Sequence, residues 1–237
     1  MQLAPIFTFL LDFSGVYDEE NFRPQGAVRI DLKEIGGTEC YCDPGSAAEI
    51  RRRIAEADSE GCGVSGEVKR SSVLPVHWID GGDYHYASRF WLERIARPFC
   101  LVLIDHHPDD QPGAFGGDLL SCGGWVADAR RDLPALRGTV WINGPGQDLR
   151  LPDLPVYLSI DKDVLSKEYA RTNWDQGSMT LPQLKGIVLS IKAQREILGI
   201  DICGELSAAK GATHRDYAIN RATNLELQDF FVSLQTK

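Results

Sequence analysis

The chain has 237 residues, 43% of them hydrophobic, and a formal net charge of -9. This length fits one sizeable core better than two small ones, so a single domain over residues 1–237 is predicted. The negative charge argues against nucleic acid or an anionic membrane as a partner, because phosphate binding requires a surplus of Lys and Arg. A small molecule is therefore the expected partner.

Two further features bear on the compartment. Residues 1–11 are apolar but have no basic segment ahead of them, and no apolar run is long enough to span a membrane. The six cysteines lack the spacing of a disulfide framework. Cys40 and Cys42 are too close for a favourable disulfide, and without a second pair they indicate a zinc site only weakly. Reduced, mostly buried thiols and a cytoplasmic location are expected.

Hydrophobic periodicity and turn residues predict strands that alternate with helices. In chain order we predict strands at 6–11 and 26–30, a helix at 47–57, a loop at 58–72, a strand at 73–79, a helix at 86–96, a strand at 99–104, a loop at 113–124, a helix at 125–136, strands at 139–142 and 156–160, a helix at 181–195, a strand at 197–202 and a helix at 217–234. This alternation is typical of an α/β fold with a mainly parallel sheet and helices on both faces.

Several local patterns predict structural roles. Ser46 and Glu49 have the spacing of a capping box at the start of the helix at 47–57, and the arginines at 51–53 are expected on its solvated face. His77 lies inside a predicted strand and is expected to be a core or edge histidine. His214 is either a surface residue or a lid over a site. Three tryptophans in predicted helices or strands are expected in the core: Trp91, Trp125 and Trp141.

Acidic and histidine side chains follow three predicted strands. The strand at 73–79 leads to a turn with Asp80, Asp83 and His85, the strand at 99–104 to Asp105, His107 and Asp109, and the strand at 156–160 to Asp161 and Asp163. Ligand sites in parallel sheets lie beyond the carboxyl ends of the strands. An extended chain, favoured at His107 by Pro108, would put Asp105, His107 and Asp109 on one side, and would likewise align Asp161 with Asp163.

These carboxylates and imidazoles predict a site for two metal ions. Hard oxygen ligands with two nitrogen ligands suit Mn2+, with Zn2+ or Fe2+ as alternatives. A lone Asp-x-Asp pair is more often a helix cap or a turn former than a ligand, and Asp80 and Asp83 are also explained as residues that shape a glycine turn. The joint pattern carries the prediction.

Four motifs stand in a distinctive order: Gly-Gly-Asp-Tyr-His at 81–85, Asp-His-His-Pro-Asp at 105–109, Ser-Ile-Asp-Lys-Asp-Val-Leu at 159–165 and Gly-Ile-Asp-Ile at 199–202. Together they resemble the arginase, agmatinase and formimidoylglutamase superfamily of ureohydrolases, from about residue 73 to the C-terminus. The resemblance implies an arginase-like three-layer α/β/α fold. It also implies a binuclear manganese cluster, whose bridging hydroxide attacks an amidine or guanidine carbon.

The resemblance also implies a ligand set. Five positions match ligands of the family: Asp105, His107, Asp109, Asp161 and Asp163. Asp105 and Asp161 stand at the positions that bridge both ions. The family motif is Gly-Gly-Asp-His, but in this chain Tyr84 occupies the position of the motif's histidine. The sixth ligand, His85, must therefore reach the metal through a shifted turn.

Other departures concern the substrate. The family's His-Gly segment is replaced by residues 120–125, which contain no histidine, and its guanidinium-binding glutamate position holds Gly204, with Glu205 one residue later. Residues 171–177 replace the family's Pro-Gly-Thr-Gly-Thr loop, and in an alignment without gaps Asp175 falls at the position of the second threonine of that loop. An orthodox arginase or agmatinase is therefore not expected. The predicted function is hydrolysis of a C–N bond in a small amidine, guanidine or amide.

Roles near the metals are predicted for residues of the motifs and of the altered loop. Asp109 is the first candidate to accept a proton, and Asp175 and His106 are the next. His106 is equally explained as a hydrogen-bond partner of a ligand. Substrate contacts are expected from Trp174, Gln176 and Glu205.

Three alternatives remain open from the sequence. One is a manganese phosphoesterase of the DHH type, although its upstream His-x-x-x-Asp-x-Asp motif is missing before Asp105. Another is a non-catalytic binding protein with the arginase fold. The third is a deacetylase-like amide hydrolase with one ion at Asp105, His107 and Asp163. Whether the chain forms a homo-oligomer is open.

Overall fold

The structure, a computed structural model, describes residues 7–61, 73–113, 119–147 and 149–235. Its strands are β1 (Phe7–Asp12), β2 (Val28–Asp31), β3 (Tyr41–Cys42), β4 (Pro75–Ile79), β5 (Phe99–Ile104), β6 (Leu120–Ser121), β7 (Leu136–Ile142), β8 (Val156–Asp161) and β9 (Ile197–Cys203). Its helices are α1 (Val16–Glu19), α2 (Pro44–Gly61), α3 (Ser88–Leu92), α4 (Trp125–Asp132), α5 (Leu181–Gln194) and α6 (His214–Ser233).

Seven strands form one parallel sheet in the order β2-β1-β4-β9-β8-β5-β7. Every residue of β5 and of β8 is buried, as expected for central strands of a sheet that is covered on both faces. Successive side chains of a strand point to opposite faces, and the apolar residues accordingly divide into two cores. The predicted α/β class with a mainly parallel sheet is confirmed.

The two cores show which helices cover each face. Val102 of β5 belongs to a core that includes Leu184 of α5 and Phe231 of α6. Its neighbour Leu101 belongs to the opposite core, which includes Ile50 of α2. Helices thus lie on both sides of the sheet, and the carboxyl ends of β4, β9, β8 and β5 are neighbours at one edge. No helix among the described residues has the length and apolar character that crossing a membrane demands.

The start of α2 differs from the prediction. The helix begins at Pro44, so Ser46 lies in its first turn, and the predicted capping box is wrong. Asp43 takes the capping position instead, because its Oδ1 accepts hydrogen bonds from the amides of Gly45 (2.8 Å) and Ser46 (3.0 Å). The helix continues to Gly61, so the first part of the predicted loop is helical, and residues 62–72 lie outside the described part of the chain.

Two other predicted elements are shorter than expected. The helix predicted at 86–96 is a 3-10 turn, Gly82–Ala87, followed by the short α3. The helix predicted at 125–136 ends at Asp132, because Leu136 already pairs with β5 as the first residue of β7. Within the predicted loop at 113–124, β6 pairs antiparallel with β3, while residues 114–118 lie outside the described part.

The local predictions for aromatic residues hold with one exception. Trp91 and Trp125 are buried, but Trp141 is 38% exposed, so its predicted core position is wrong. His77 stacks on Trp91 at 3.7 Å between ring centroids and hydrogen-bonds the hydroxyl of Tyr157 at 2.9 Å. Burial lowers the pKa of His77 to about 3. The predicted core role of His77 is confirmed.

The arginines of α2 are only partly solvated. Arg52 is exposed, as predicted. Arg51 is half-buried, because its guanidinium lies 4.6 Å from the ring centroid of Phe90 and 2.7 Å from a carboxylate oxygen of Glu93 on the segment after α3. The described cysteines carry free thiols, as expected, and three of them are buried: Cys42, Cys100 and Cys203.

Candidate metal centre

The candidate site lies where neighbouring parallel strands end. Asp105 directly follows β5, Asp161 is the last residue of β8, and the 3-10 turn after β4 carries His85. The carboxyl ends of these strands lie at one edge of the sheet, which is the usual place for a ligand. The structure brings all the predicted ligands together there: His85, Asp105, His107, Asp109, Asp161 and Asp163.

The imidazole of His85 lies beside three of the acids, and these four residues are called the first ligand group: His85, Asp105, Asp109 and Asp161. The Nδ1 atom of His85 lies 3.2 Å from Asp105 Oδ2, 2.9 Å from Asp109 Oδ2 and 3.7 Å from Asp161 Oδ2. All four residues are buried. The shift of the histidine to position 85 therefore does not keep the imidazole away from the acids.

Asp105 also belongs to a second ligand group, which it shares with His107 and Asp163. His107 Nδ1 lies 2.8 Å from Asp163 Oδ2 and 3.8 Å from Asp105 Oδ1. Asp105 thus presents one carboxylate oxygen to each group, which is the geometry of a bridging ligand. Asp161 presents Oδ2 to the first group, whereas its Oδ1 accepts a hydrogen bond from the amide of Asp163 (2.8 Å). Since Asp105 Oδ1 likewise accepts a hydrogen bond, from the amide of His107, the bridging roles of Asp105 and Asp161 both stay predictions.

The ligands converge by a different route from the one predicted. The chain does not stay extended after β8, because Lys162–Val164 form a 3-10 turn that is capped by Asp161. After β5 the chain bends, with the amide of His107 donating to Asp105 Oδ1 at 2.6 Å. Asp109 has a left-handed backbone (φ 47°), a conformation that non-glycine residues rarely adopt. Tight turns, and not the alternation of an extended strand, bring the carboxylates together.

A set of hydrogen bonds holds the ligands from behind. Ser159 Oγ lies 2.8 Å from His85 Nε2 and donates to Asp201 Oδ1 at 2.5 Å. Trp125 Nε1 donates to Asp109 Oδ2 at 2.7 Å. Such partners fix the orientation of metal ligands. Ser159 and Asp201 lie within the motifs at 159–165 and 199–202, which do not by themselves indicate this positioning role, and no local pattern indicates the role of Trp125.

The acids of the site are costly to bury together. Burial raises the pKa of Asp161 to about 6, and repulsion from Asp163 adds to the shift. Burial likewise raises the pKa of Asp163 to about 6. The Nδ1 atom of His85 and the Oδ2 atom of Asp105 are buried and have no hydrogen-bond partner. Divalent cations would neutralise the carboxylates and could be coordinated by the two atoms that make no hydrogen bond, so the residues present fit a metal centre.

Cys203 also reaches the first ligand group, although no role was predicted for it. Its thiol lies 3.1 Å from Asp161 Oδ2 at the end of β9. The motif that contains Asp201 ends one residue before Cys203, so the proximity could have been noticed from the sequence.

The predicted catalytic residues lie at different distances from the ligand groups. Asp109 belongs to the first group. The amide of His106 donates to Asp163 Oδ1 at 3.0 Å, while its Nδ1 is buried and has no hydrogen-bond partner. Asp175 is exposed, and no hydrogen bond within the described ranges joins it to the acids. His214 is exposed at the start of α6.

The predicted substrate-binding residues also divide. Trp174 donates from Nε1 to Asp83 at 2.9 Å, and its ring centroid lies 6.1 Å from that of His107. The amide nitrogen of Gln176 instead donates to two main-chain carbonyls, those of Leu165 and Ala170. Trp174 therefore lies beside a predicted metal ligand, whereas the Gln176 amide group holds its own loop, and a substrate contact of Trp174 stays a prediction.

Trp174 forms one wall of an open pocket of about 550 Å³. A Cβ atom on Gly82 would lie 3.1 Å from Trp174 Cδ1 and 3.0 Å from Asp161 Oδ2, so this glycine lies between the pocket wall and Asp161. Asp83 forms an ion pair with Lys210 at 2.9 Å, which links two residues of the pocket wall. The pocket is lined by Cys40, Asp83, Thr172, Asn173, Trp174, Leu206 and Lys210.

Glu205 does not line this pocket. It is 2% exposed and forms an ion pair with Lys162 at 2.5 Å. Asn224 Nδ2 donates to Glu205 at 2.8 Å and to a second buried carboxyl group, Glu20, at 2.9 Å. The predicted contact of Glu205 with a substrate is therefore not supported, because the carboxylate is held by an internal lysine.

The buried Glu20 gives a prediction for the dependence of stability on pH. Burial raises the pKa of Glu20 far above its usual value, and the charge of Glu205 adds to the shift. The folded chain therefore holds one proton that the unfolded chain releases once the pH exceeds the ordinary pKa of a glutamate. The stability that this proton contributes is present below the ordinary pKa and is lost as the pH rises through the raised one, by up to about 1.4 kcal/mol per pH unit.

Glu20→Gln should reduce this loss, because glutamine keeps the shape of a protonated glutamate and cannot ionise. Urea denaturation between about pH 6 and about pH 9 measures the free energy of unfolding at each pH. Glu19→Gln, at the exposed neighbouring position, is the matched control and should follow the wild type. A parallel decline in wild type and Glu20→Gln would contradict the assignment of the proton to Glu20.

The chain is similar in structure to three hydrolases. Proclavaminate amidino hydrolase from Streptomyces clavuligerus matches with a TM-score of 0.64 and 11% identity, over 98% of this chain and 93% of that one. Arginase from Medicago truncatula matches with a TM-score of 0.63 and 14% identity, over 99% and 88%. Formimidoylglutamase from Bacillus subtilis matches with a TM-score of 0.59 and 11% identity, over 96% and 86%. These similarities establish the fold.

A relative is also found by sequence. An uncharacterised protein of Thermotoga maritima is 30% identical over 219 residues, which cover 86% of this chain and 81% of that protein. At this identity and coverage the two proteins are members of one family. No family model matches the chain.

Proposed function

This chain belongs to the arginase and ureohydrolase fold superfamily, and from that premise we propose that it is a metal-dependent hydrolase. It cleaves a C–N bond of a small amidine, guanidine or amide. The observation that carries this proposal is the pair of ligand groups that share Asp105 at the carboxyl ends of β5 and β8. The fold favours this reaction over the phosphoesterase alternative.

The proposed centre would hold two divalent ions, one in each ligand group. His85, Asp105, Asp109 and Asp161 would hold the first ion, and Asp105, His107 and Asp163 would hold the second. Carboxylates with one imidazole in each group are a ligand set for Mn2+, Zn2+ or Fe2+. When bound, two such ions lower the pKa of a shared water and polarise the bond under attack.

The protein groups around the ions orient the substrate and move protons. Trp125 holds Asp109 through a hydrogen bond of 2.7 Å, which positions this carboxylate to accept a proton. His106 has an unpartnered Nδ1 and is the second candidate. Asp175 would have to approach from its exposed position on the loop and is the third. Trp174, which lines the open pocket beside the site, would contact the substrate.

The pocket indicates a small substrate. Its volume of about 550 Å³ lies within the range usual for small-molecule sites. Glu205 is neutralised by Lys162 inside the protein, so a substrate cation cannot rely on this carboxylate. This arrangement supports a substrate that differs from those of orthodox arginases and agmatinases.

A substrate screen tests the proposal. Protein loaded with Mn2+ or Zn2+ is incubated with a panel of small amidines, guanidines and amides, and release of ammonia, urea or amine is measured. Hydrolysis of at least one compound is expected, and Asp105→Asn should lose it. Asp110→Asn, an exposed acid five residues further on, should retain it. Two bound ions without turnover of any class would favour the non-catalytic alternative.

A further inference from the structure

Cys203 has the position of a metal ligand. It is 1% exposed at the carboxyl end of β9. Its sulfur lies 3.1 Å from Asp161 Oδ2, and together with His85 and Asp161 it forms a group whose ligand atoms all lie within 4.8 Å of one another. The thiol therefore lies within ligand distance of two members of the first ligand group, His85 and Asp161.

Two buried atoms of the same group support this position. The Nδ1 atom of His85 and the Oδ2 atom of Asp105 make no hydrogen bond, although they lie 3.2 Å apart and Nδ1 also lies 2.9 Å from Asp109 Oδ2. Both residues are 1% exposed. Buried polar atoms that make no hydrogen bond are costly, and a metal ion bound by His85 would satisfy its Nδ1 atom. His85 is shared by the group that contains Cys203 and the group that contains Asp105, so the cysteine lies beside a residue that is suited to hold an ion.

We propose that the sulfur of Cys203 is a ligand of the ion in the first ligand group, and that this position therefore prefers Zn2+ to Mn2+. The inference rests on the proposed metal centre and adds a ligand to it. Thiolate sulfur favours zinc, whereas carboxylate oxygen suits manganese. The second ligand group contains only carboxylates and one imidazole, so the two positions differ in the metal they select.

Metal binding by Cys203 releases the proton of its thiol. Without metal, the thiol of Cys203 donates its hydrogen to Asp161 Oδ2. On metal binding the S–H bond breaks, a bond between sulfur and metal forms, and the proton passes to buffer. The competing interpretation is that Cys203 remains a thiol and only orients the Asp161 carboxylate as a hydrogen-bond donor. The two interpretations differ in whether sulfur touches the ion.

Cobalt(II) titration of the full chain separates them, since a cobalt–thiolate bond gives a charge-transfer absorption in the near ultraviolet. The wild type should show this band, and it should saturate when one of the two positions is filled. Cys203→Ser should bind cobalt without the band. Cys100→Ala is the control, because Cys100 is a buried thiol on β5 whose hydrogen bond goes to the carbonyl of Leu101; it should keep the band.

Metal selectivity gives a second readout. In equilibrium dialysis against both metals, the ratio of bound zinc to bound manganese should fall at least about tenfold in Cys203→Ser. X-ray absorption of the zinc-loaded wild type needs no variant and should show a sulfur neighbour. Cobalt binding without a thiolate band and without sulfur scattering would overturn the role of Cys203 alone. Failure of the wild type to bind any cobalt, zinc or manganese would overturn the metal centre itself.

Discussion

Asp161→Ala is expected to lose metal from both positions and to lose hydrolytic activity altogether. Asp161 contributes to the first ligand group, and its other oxygen caps the turn that carries Asp163 of the second group. The variant therefore disturbs both groups. Loss of a partner behind a ligand typically costs 10- to 100-fold, and loss of this ligand should cost more than about 100-fold. Metal analysis of the dialysed protein and the hydrolysis assay measure the two losses.

A second variant separates loss of charge from loss of the turn. Asp161→Asn keeps an acceptor for the amide of Asp163 but removes the negative charge, so it should fold like the wild type and still bind metal poorly. Asp153→Ala is the control, because the side chain of Asp153 is fully exposed. Retained hydrolysis in both Asp161 variants would rule out a mechanism that depends on two ions at this carboxylate.

Lys162→Met is expected to be the most destabilising single substitution near the site, by about 3–5 kcal/mol. Lys162 stands in the sequence between the candidate ligands Asp161 and Asp163 and is fully buried. Its ammonium group forms an ion pair with Glu205 at 2.5 Å and donates a hydrogen bond to Asn224 at 2.8 Å. Removing the ammonium leaves the carboxylate of Glu205 buried beside Glu20 without a counter-charge. Urea denaturation measures the difference in free energy of unfolding.

A double variant that also removes the charge of Glu205 provides the decisive comparison. In Lys162→Met with Glu205→Gln neither charge remains, and the double variant should be more stable than Lys162→Met alone, because a buried ion pair can often be replaced as a unit at little cost. Lys167→Met changes an exposed lysine of the same segment and is the control. A loss below about 0.5 kcal/mol for Lys162→Met, as at ordinary surface sites, would contradict the structural role given to the pair.

The sheet and the ligands could be predicted from the sequence because both depend on short patterns. A buried parallel strand is a run of apolar residues, and Phe99–Ile104 shows that run without interruption. Acids directly after such a run must lie at the carboxyl end of the strand, as Asp105 and Asp161 do. Parallel pairing then brings separate motifs to one edge of the sheet, so the proximity of the candidate ligands could be predicted from the sequence.

Other features depend on contacts between distant residues, which local patterns do not encode. Asp109, with its left-handed backbone, accepts a hydrogen bond from Trp125, which lies 16 positions later in the chain. Glu205 pairs with a lysine 43 positions earlier in the chain, and a one-residue shift relative to the family motif could not reveal that partner. Asp43 displaced Ser46 as the cap of α2, because both have side chains suited to that position and only the helix start decides between them.

The central claim is that two ions are bound around Asp105. Crystals of protein loaded with both manganese and zinc should show two anomalous peaks, one among His85, Asp105, Asp109 and Asp161 and the other among Asp105, His107 and Asp163. Metal analysis of the same protein should give two ions per chain. One peak at the second group alone would favour the deacetylase-like alternative, and the absence of any ion from protein loaded in this way would contradict the metal centre.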